Sequence, residues 1–115
     1  PRPDIFKGPV AVLVDGLSAS TSEIFAAGFQ DLKRARVFGS ITAGAALPSV
    51  FMKLPNGDAF QYVVANFKSV SGKVLEGKGV EPDETVLINR KRLLDGEDPV
   101  IESAINWIES RTPER

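Results

Sequence analysis

Ser20 is the side chain of this 115-residue chain best placed to act as a nucleophile. It stands in Ser18-Ala19-Ser20-Thr21-Ser22-Glu23, a hydroxyl cluster between the Val-rich run Val10 to Val14 and a helical pattern of Ile24, Phe25, Ala27, Gly28 and Leu32. A hydroxyl at such a strand-to-helix junction meets the positive end of the helix dipole. It also meets backbone N–H groups that have no helical acceptor and can hold an oxyanion. A plainer reading fits the same residues. Ser20 with Glu23 three positions on matches a capping box, in which the hydroxyl closes one backbone donor and the glutamate reaches back to another. Cap and nucleophile both stay open on spacing alone.

A serine nucleophile needs a base, and the composition narrows the choice. The chain contains no histidine and no cysteine. A Ser-His-acid set within it is therefore excluded, as is a metal site built on imidazole, because no other side chain has its unperturbed charge change near neutral pH. Chemistry must use serine, lysine or carboxylates, or borrow a base from elsewhere. Lys33 and Lys78 fall on exposed or loop positions, without the burial that makes a lysine basic group available at neutral pH. No cofactor and no metal is expected. With 14 Lys and Arg against 15 Asp and Glu, the net charge is -1, so nucleic acid and anionic membrane surfaces are poor partners. No apolar run reaches the roughly 18 residues that span a bilayer.

The elements that must position these residues read as one α/β domain. Val10 to Val14, bounded by Pro9 and Asp15-Gly16, looks like a central parallel strand buried on both faces. The spacing predicts a helix from Thr21 to Lys33 and a second strand from Ala35 to Gly39, making a right-handed strand, helix, strand unit. Ile41 to Pro48 is a loop. Val50 to Leu54 and Ala59 to Phe67 form a hairpin across Pro55-Asn56-Gly57-Asp58, with Phe60, Tyr62 and Val64 as a core stripe. Phe51, Phe67 and Trp107 are also expected in the core. Ser71-Gly72 closes a second turn, and Thr85 to Ile88 is extended. A last helix starts at the cap Asp98 with Pro99 in its first position, and Ile101, Ile105 and Ile108 share one stripe. Residues 1–8 read as a leader or linker, 9–111 as the domain and 112–115 as a tail; the first residue, Pro1, is expected to mark a piece of a longer precursor.

The stretch from Val10 to Asp31 resembles the nucleophile segment of the tail-specific, or C-terminal processing, serine peptidases. In that family a strand runs into S-A-S-A-S-E, then a helix ending near Q-D, a strand and a G-x-x-T-x-G loop. The matching residues are Ser18 to Glu23, Gln30-Asp31, Val37-Phe38 and Gly39 to Gly44; Leu75 to Asp83 is similar to the family's E-G-x-G-V-x-P-D segment. The resemblance covers roughly Gly8 to Trp107. It implies a crotonase-like or ClpP-like partial domain: α/β, mostly parallel, with the hairpin as an antiparallel extension. It makes Ser20 the nucleophile and the Thr21 N–H one oxyanion donor, the other coming from an upstream segment of the same peptidase domain. Asp31 matches an acidic position that some members need, its alternative being a solvated carboxylate at the helix end.

One departure counts against simple transfer. Members that use a Ser-Lys dyad carry lysine where this chain has Ala45, and a methyl group takes no proton. Related peptidases pair the serine with an upstream histidine and a glutamate of the E-x-x-G-V-x-P-D region, which makes Glu76 the candidate orienting acid; otherwise it is a turn glutamate. Asp31, eleven residues after Ser20, lies about 16 Å along the helix axis and reaches the nucleophile only through a fold-back. The resemblance thus implies a serine-type endopeptidase acting on extended or C-terminal peptide segments, in a periplasmic or extracytoplasmic setting. The rivals are an inactive member that binds peptides or ligands and, on the scaffold alone, an acyl-thioester enzyme.

Overall fold

The computed structural model describes residues 4–111; the expected tail at 112–115 and the start of the leader lie outside them. The elements are β1 (Ala11–Val14), α1 (Thr21–Asp31), β2 (Arg36–Gly39), β3 (Ser49–Lys53), β4 (Ala59–Val63), β5 (Glu84–Thr85), α2 (Arg90–Leu94) and α3 (Pro99–Arg111). β1, β2 and β5 form a parallel sheet in the order β1-β2-β5, and β3 and β4 form a separate antiparallel pair. This is the mixed α/β architecture the sequence implies, a parallel sheet with a hairpin beside it.

Alternation along β2 divides the core. Val37 packs with Val14, Ala26, Ala27, Ala46, Leu75 and Val80, whereas the next residue, Phe38, packs with Val100 and Ala104 against Trp107. Successive strand residues point to opposite faces, so α1 covers one face of the sheet and α3 the other. The small residues Ala26 and Ala27 let α1 lie close to β2. At Gly39, φ is 122° and a Cβ would stand 1.9 Å from the Val14 carbonyl oxygen, so the β1–β2 approach requires glycine there.

Several sequence expectations change. α1 ends at Asp31, two residues early, because Lys33 adopts a left-handed conformation (φ 52°) and its N–H returns to the Gln30 carbonyl. β1 is an edge strand among the described residues, and Leu13 is 44% exposed; a Val-rich run reports burial potential, which only neighbouring strands can realise. The hairpin stripe is not core. Phe60, Tyr62 and Val64 are exposed, and Phe51 is 73% exposed, since no second layer among the described residues covers the hairpin. Phe67 and Trp107 do pack against buried clusters. On α3 the buried face is Val100 and Ala104, leaving Ile101 and Ile105 largely exposed. The short helix α2, capped by the Asn89 side chain accepting from Arg92 N–H at 3.2 Å, is an addition to the sequence reading.

Candidate active site

β1 ends at Val14, and the chain turns through Asp15 to Ser20 before α1 begins. Asp15 builds that turn: its Oδ1 accepts from the N–H groups of Leu17 (3.0 Å) and Ser18 (2.9 Å) and from the Ser18 hydroxyl (3.0 Å). The Ser18 hydroxyl leads the bonds that hold the Asp15 carboxyl below its usual pKa. Ser20 then sits at the helix N-cap with φ 59° and ψ −125°. A residue with a Cβ rarely occupies this region, and holding it there costs about 1–3 kcal/mol. Its hydroxyl makes no cap hydrogen bond. It nevertheless stands in capping-box position against the Glu23 N–H, which donates to the Ser20 carbonyl at 2.9 Å. The reciprocal half of the box is the Ser20 N–H donating to Glu23 Oε2 at 3.0 Å. Ser20 is exposed, and the Thr21 N–H has no acceptor among the described residues.

Glu23 organises the site, a role beyond the cap that the spacing indicates. It is fully buried and accepts from Ser20 N–H, from the Thr42 hydroxyl, from Gly44 N–H (2.7 Å) and from Ala45 N–H (2.9 Å). Burial pushes its pKa up, but those four hydrogen bonds together outweigh it and the carboxyl ends below its ordinary value. The loop after β2 is thereby tied to the first turn of α1. Thr42 extends the tie, its hydroxyl accepting from Val80 N–H at 2.7 Å. Gly44 and Gly79 let the two loops meet: a Cβ on Gly79 would lie 2.5 Å from the Thr42 carbonyl oxygen. The sequence signal for this hub was the pairing of a glutamate with a Thr-x-Gly loop, which periodicity does not read.

Ser20, Ala45 and Glu76 line one cavity of about 390 Å3, together with Leu47, Tyr62 and Val63. Glu76 Oε2 accepts from Ala46 N–H (2.8 Å) and Leu47 N–H (3.2 Å), while Oε1 has no partner among the described residues. Asp31 lies in a different cavity. It accepts from the Ser71 N–H and hydroxyl, both at 2.9 Å, pairs with Lys73 at 3.5 Å, and its side chain is only 3% exposed. The Ser69 hydroxyl first, then the Ser71 groups and Lys73, lower its pKa to about 2. It is thus an anchored carboxylate rather than a solvated one, and the structure brings Glu76, not Asp31, to the cavity of Ser20. No cluster of metal-ligating side chains occurs among the described residues.

The model of peptidase family S41 matches residues 2–86. The chain belongs to peptidase family S41. This S41 chain is 31% identical over 77 residues to the "Probable CtpA-like serine protease" of Staphylococcus aureus (strain COL), covering 67% of this chain and 16% of that protein. The like-named protein of Staphylococcus haemolyticus (strain JCSC1435) is 32% identical over the same shares. Among solved structures, the photosystem II D1 C-terminal processing protease superposes with a TM-score of 0.60 at 32% identity, over 68% of this chain and 20% of that one. The tricorn protease gives 0.77 at 25% identity, over 90% of this chain and 10% of that one. The S41 chain therefore spans 16% of the length of the curated relatives it matches.

Proposed function

We propose that this S41 chain carries the nucleophile of a serine peptidase. Ser20 Oγ attacks the carbonyl carbon of an extended peptide, and the Thr21 N–H donates to the oxyanion that forms. The proton leaves Ser20 for a base supplied by another segment of the same peptidase domain, because the chain has no histidine and Ala45 brings no amine to the cavity. Glu76 orients that base through Oε1. One observation carries the reading: Ser20, held on a strained turn at the start of α1, lines a cavity that also holds Glu76. A capping role alone gives a serine no reason to keep so unusual a backbone. The extracytoplasmic setting implied by the resemblance belongs to the same proposal.

Ala45 supports the second reading, an inactive binding module. A fluorophosphonate probe separates the two. Wild-type chain is expected to label slowly at Ser20, and added imidazole is expected to raise the rate at least tenfold. Ala45→Lys should raise it without imidazole, mostly at alkaline pH where the amine is free. Glu76→Gln should blunt the imidazole effect, and Ser20→Ala should remove labelling. If neither imidazole nor Ala45→Lys accelerates labelling of Ser20, the binding-module reading holds instead.

A further inference from the structure

A second cavity, of about 950 Å3, lies at the N-terminal ends of β1 and β2. Ser20 follows the opposite end of β1, so the two sites lie at opposite ends of the sheet. Lys7, Lys33, Arg34, Arg36 and Arg111 line this cavity. Five of the chain's 14 basic residues thus gather in one concavity of a protein whose net charge is -1. Clefts lined by one sign of charge focus the field and concentrate counter-ions.

Two carboxylates, Asp83 in the lining and Glu84 paired with Arg36, offset part of this field and leave three of the five positive charges in surplus. Asp83 is the carboxylate that shares the lining, and its oxygens are engaged by Val37 N–H (2.8 Å) and Gln30 Nε2 (3.0 Å). Arg36 pairs with Glu84 at 3.1 Å. Arg34 donates to the carbonyls of Phe6 (2.6 Å) and Gly8 (3.1 Å), which fixes the segment bearing Lys7 against the turn after α1. Lys7, Lys33 and Arg111 have no ion-pair partner among the described residues.

Two further features mark this wall, the first closing α1 through the Lys33 and Arg34 N–H groups on the Gln30 and Phe29 carbonyls. Lys33 holds φ 52° at the position after a helix end that glycine ordinarily fills. The donors Arg36 Nε and Trp107 Nε1, both on lining residues, are buried without a hydrogen-bond partner, although buried polar groups are nearly always paired.

We propose that this cavity binds a small molecule carrying a multiply charged oxyanion, a phosphate ester or a polycarboxylate. Its volume falls within the range of small-molecule sites, and the Lys7 and Lys33 ammonium groups with the Arg111 guanidinium are left to meet charged oxygens. Trp107 is the chain's one tryptophan, so its fluorescence reports occupancy directly. The chain is titrated with inorganic pyrophosphate and, separately, with citrate, at ionic strength held constant with chloride. A saturable change below millimolar concentration is expected, and the anion that binds more tightly identifies the source. Lys33→Gly removes the strained Cβ, so it should leave Tm equal or higher while weakening binding at least fivefold. Lys7→Gln with Arg111→Gln, both exposed, should weaken it at least tenfold, and Lys53→Gln with Lys91→Gln, away from the cavity, should not. Fluorescence that only tracks ionic strength, or wild-type affinity in the folded Lys7/Arg111 variant, overturns the proposal.

Discussion

Glu23 and Asp31 are both helix carboxylates with lowered pKa values, yet they differ in what they hold. Glu23 joins three backbone N–H groups and a hydroxyl around the Ser20 turn. Glu23→Gln replaces an acceptor with a donor that faces other donors, and is expected to cost about 3 kcal/mol in urea denaturation. The folded pKa lies below the ordinary 4.5, so the stabilisation is present above pH 4.5 and is lost as pH falls through the folded value. Asp31 joins α1 to the Ser69–Lys73 turn. Its contribution is present above 3.8 and is lost between 3.8 and about 2. Asp31→Asn should speed hydrogen exchange at the Ser71 amide while leaving imidazole-stimulated labelling of Ser20 within about threefold. A collapse of labelling in a folded Asp31→Asn protein would mean that this carboxylate acts on the reaction.

The elements around the site are short, and backbone contacts between loops do work that longer strands do elsewhere. Gly39, Gly44 and Gly79 stand where another segment's backbone lies within 3.0 Å of a would-be Cβ, all at positive φ. Gly72 shares the positive φ but faces open space. The two situations make different demands. Gly72→Ala meets only the left-handed penalty, about 1 kcal/mol. Gly79→Ala adds a clash with the Thr42 carbonyl and should cost about 3 kcal/mol or more. It should also slow Ser20 labelling, because Thr42 is tied to Glu23. Equal losses of stability in the two variants would show that the loops separate more readily than their packing indicates.

At the scale of the molecule, apolar surface is unevenly used. The radius of gyration is 17.6 Å, against about 13 Å for a compact chain of this length. The hairpin accounts for much of the exposure: Val50, Phe51, Met52, Phe60 and Val63 all face solvent. Phe38, by contrast, is fully buried between β2 and α3. Phe38→Ala is expected to cost about 3–5 kcal/mol, whereas Phe51→Ser should change stability by no more than about 0.5 kcal/mol. Light scattering should fall in the Phe51 variant, since large exposed apolar patches promote association. A loss of several kcal/mol at Phe51 would mean that the hairpin face is covered in solution.

Local signals in the sequence determined the hairpin turn at Asn56-Gly57, the Asp98-Pro99 start of α3, the strand-to-helix junction at Ser20 and the family motifs, because each depends on neighbours a few residues apart. The missing histidine and Ala45 were legible as plain counts and positions. Long-range contacts decided the rest. Alternation could mark Phe60 and Tyr62 as one face of a strand, but whether that face is covered depends on a second layer, which periodicity does not encode. The same limit applied to Glu23, whose other partners, Thr42, Gly44 and Ala45, lie about twenty residues away. It applied to Glu76 and Asp31 as well: both are acidic residues in family-like segments, and only the packing of loops places one beside Ser20 and anchors the other to a turn. Net charge concealed the cationic cavity for a related reason, since five basic residues far apart in the chain converge only where β1, β2, α1 and α3 come together.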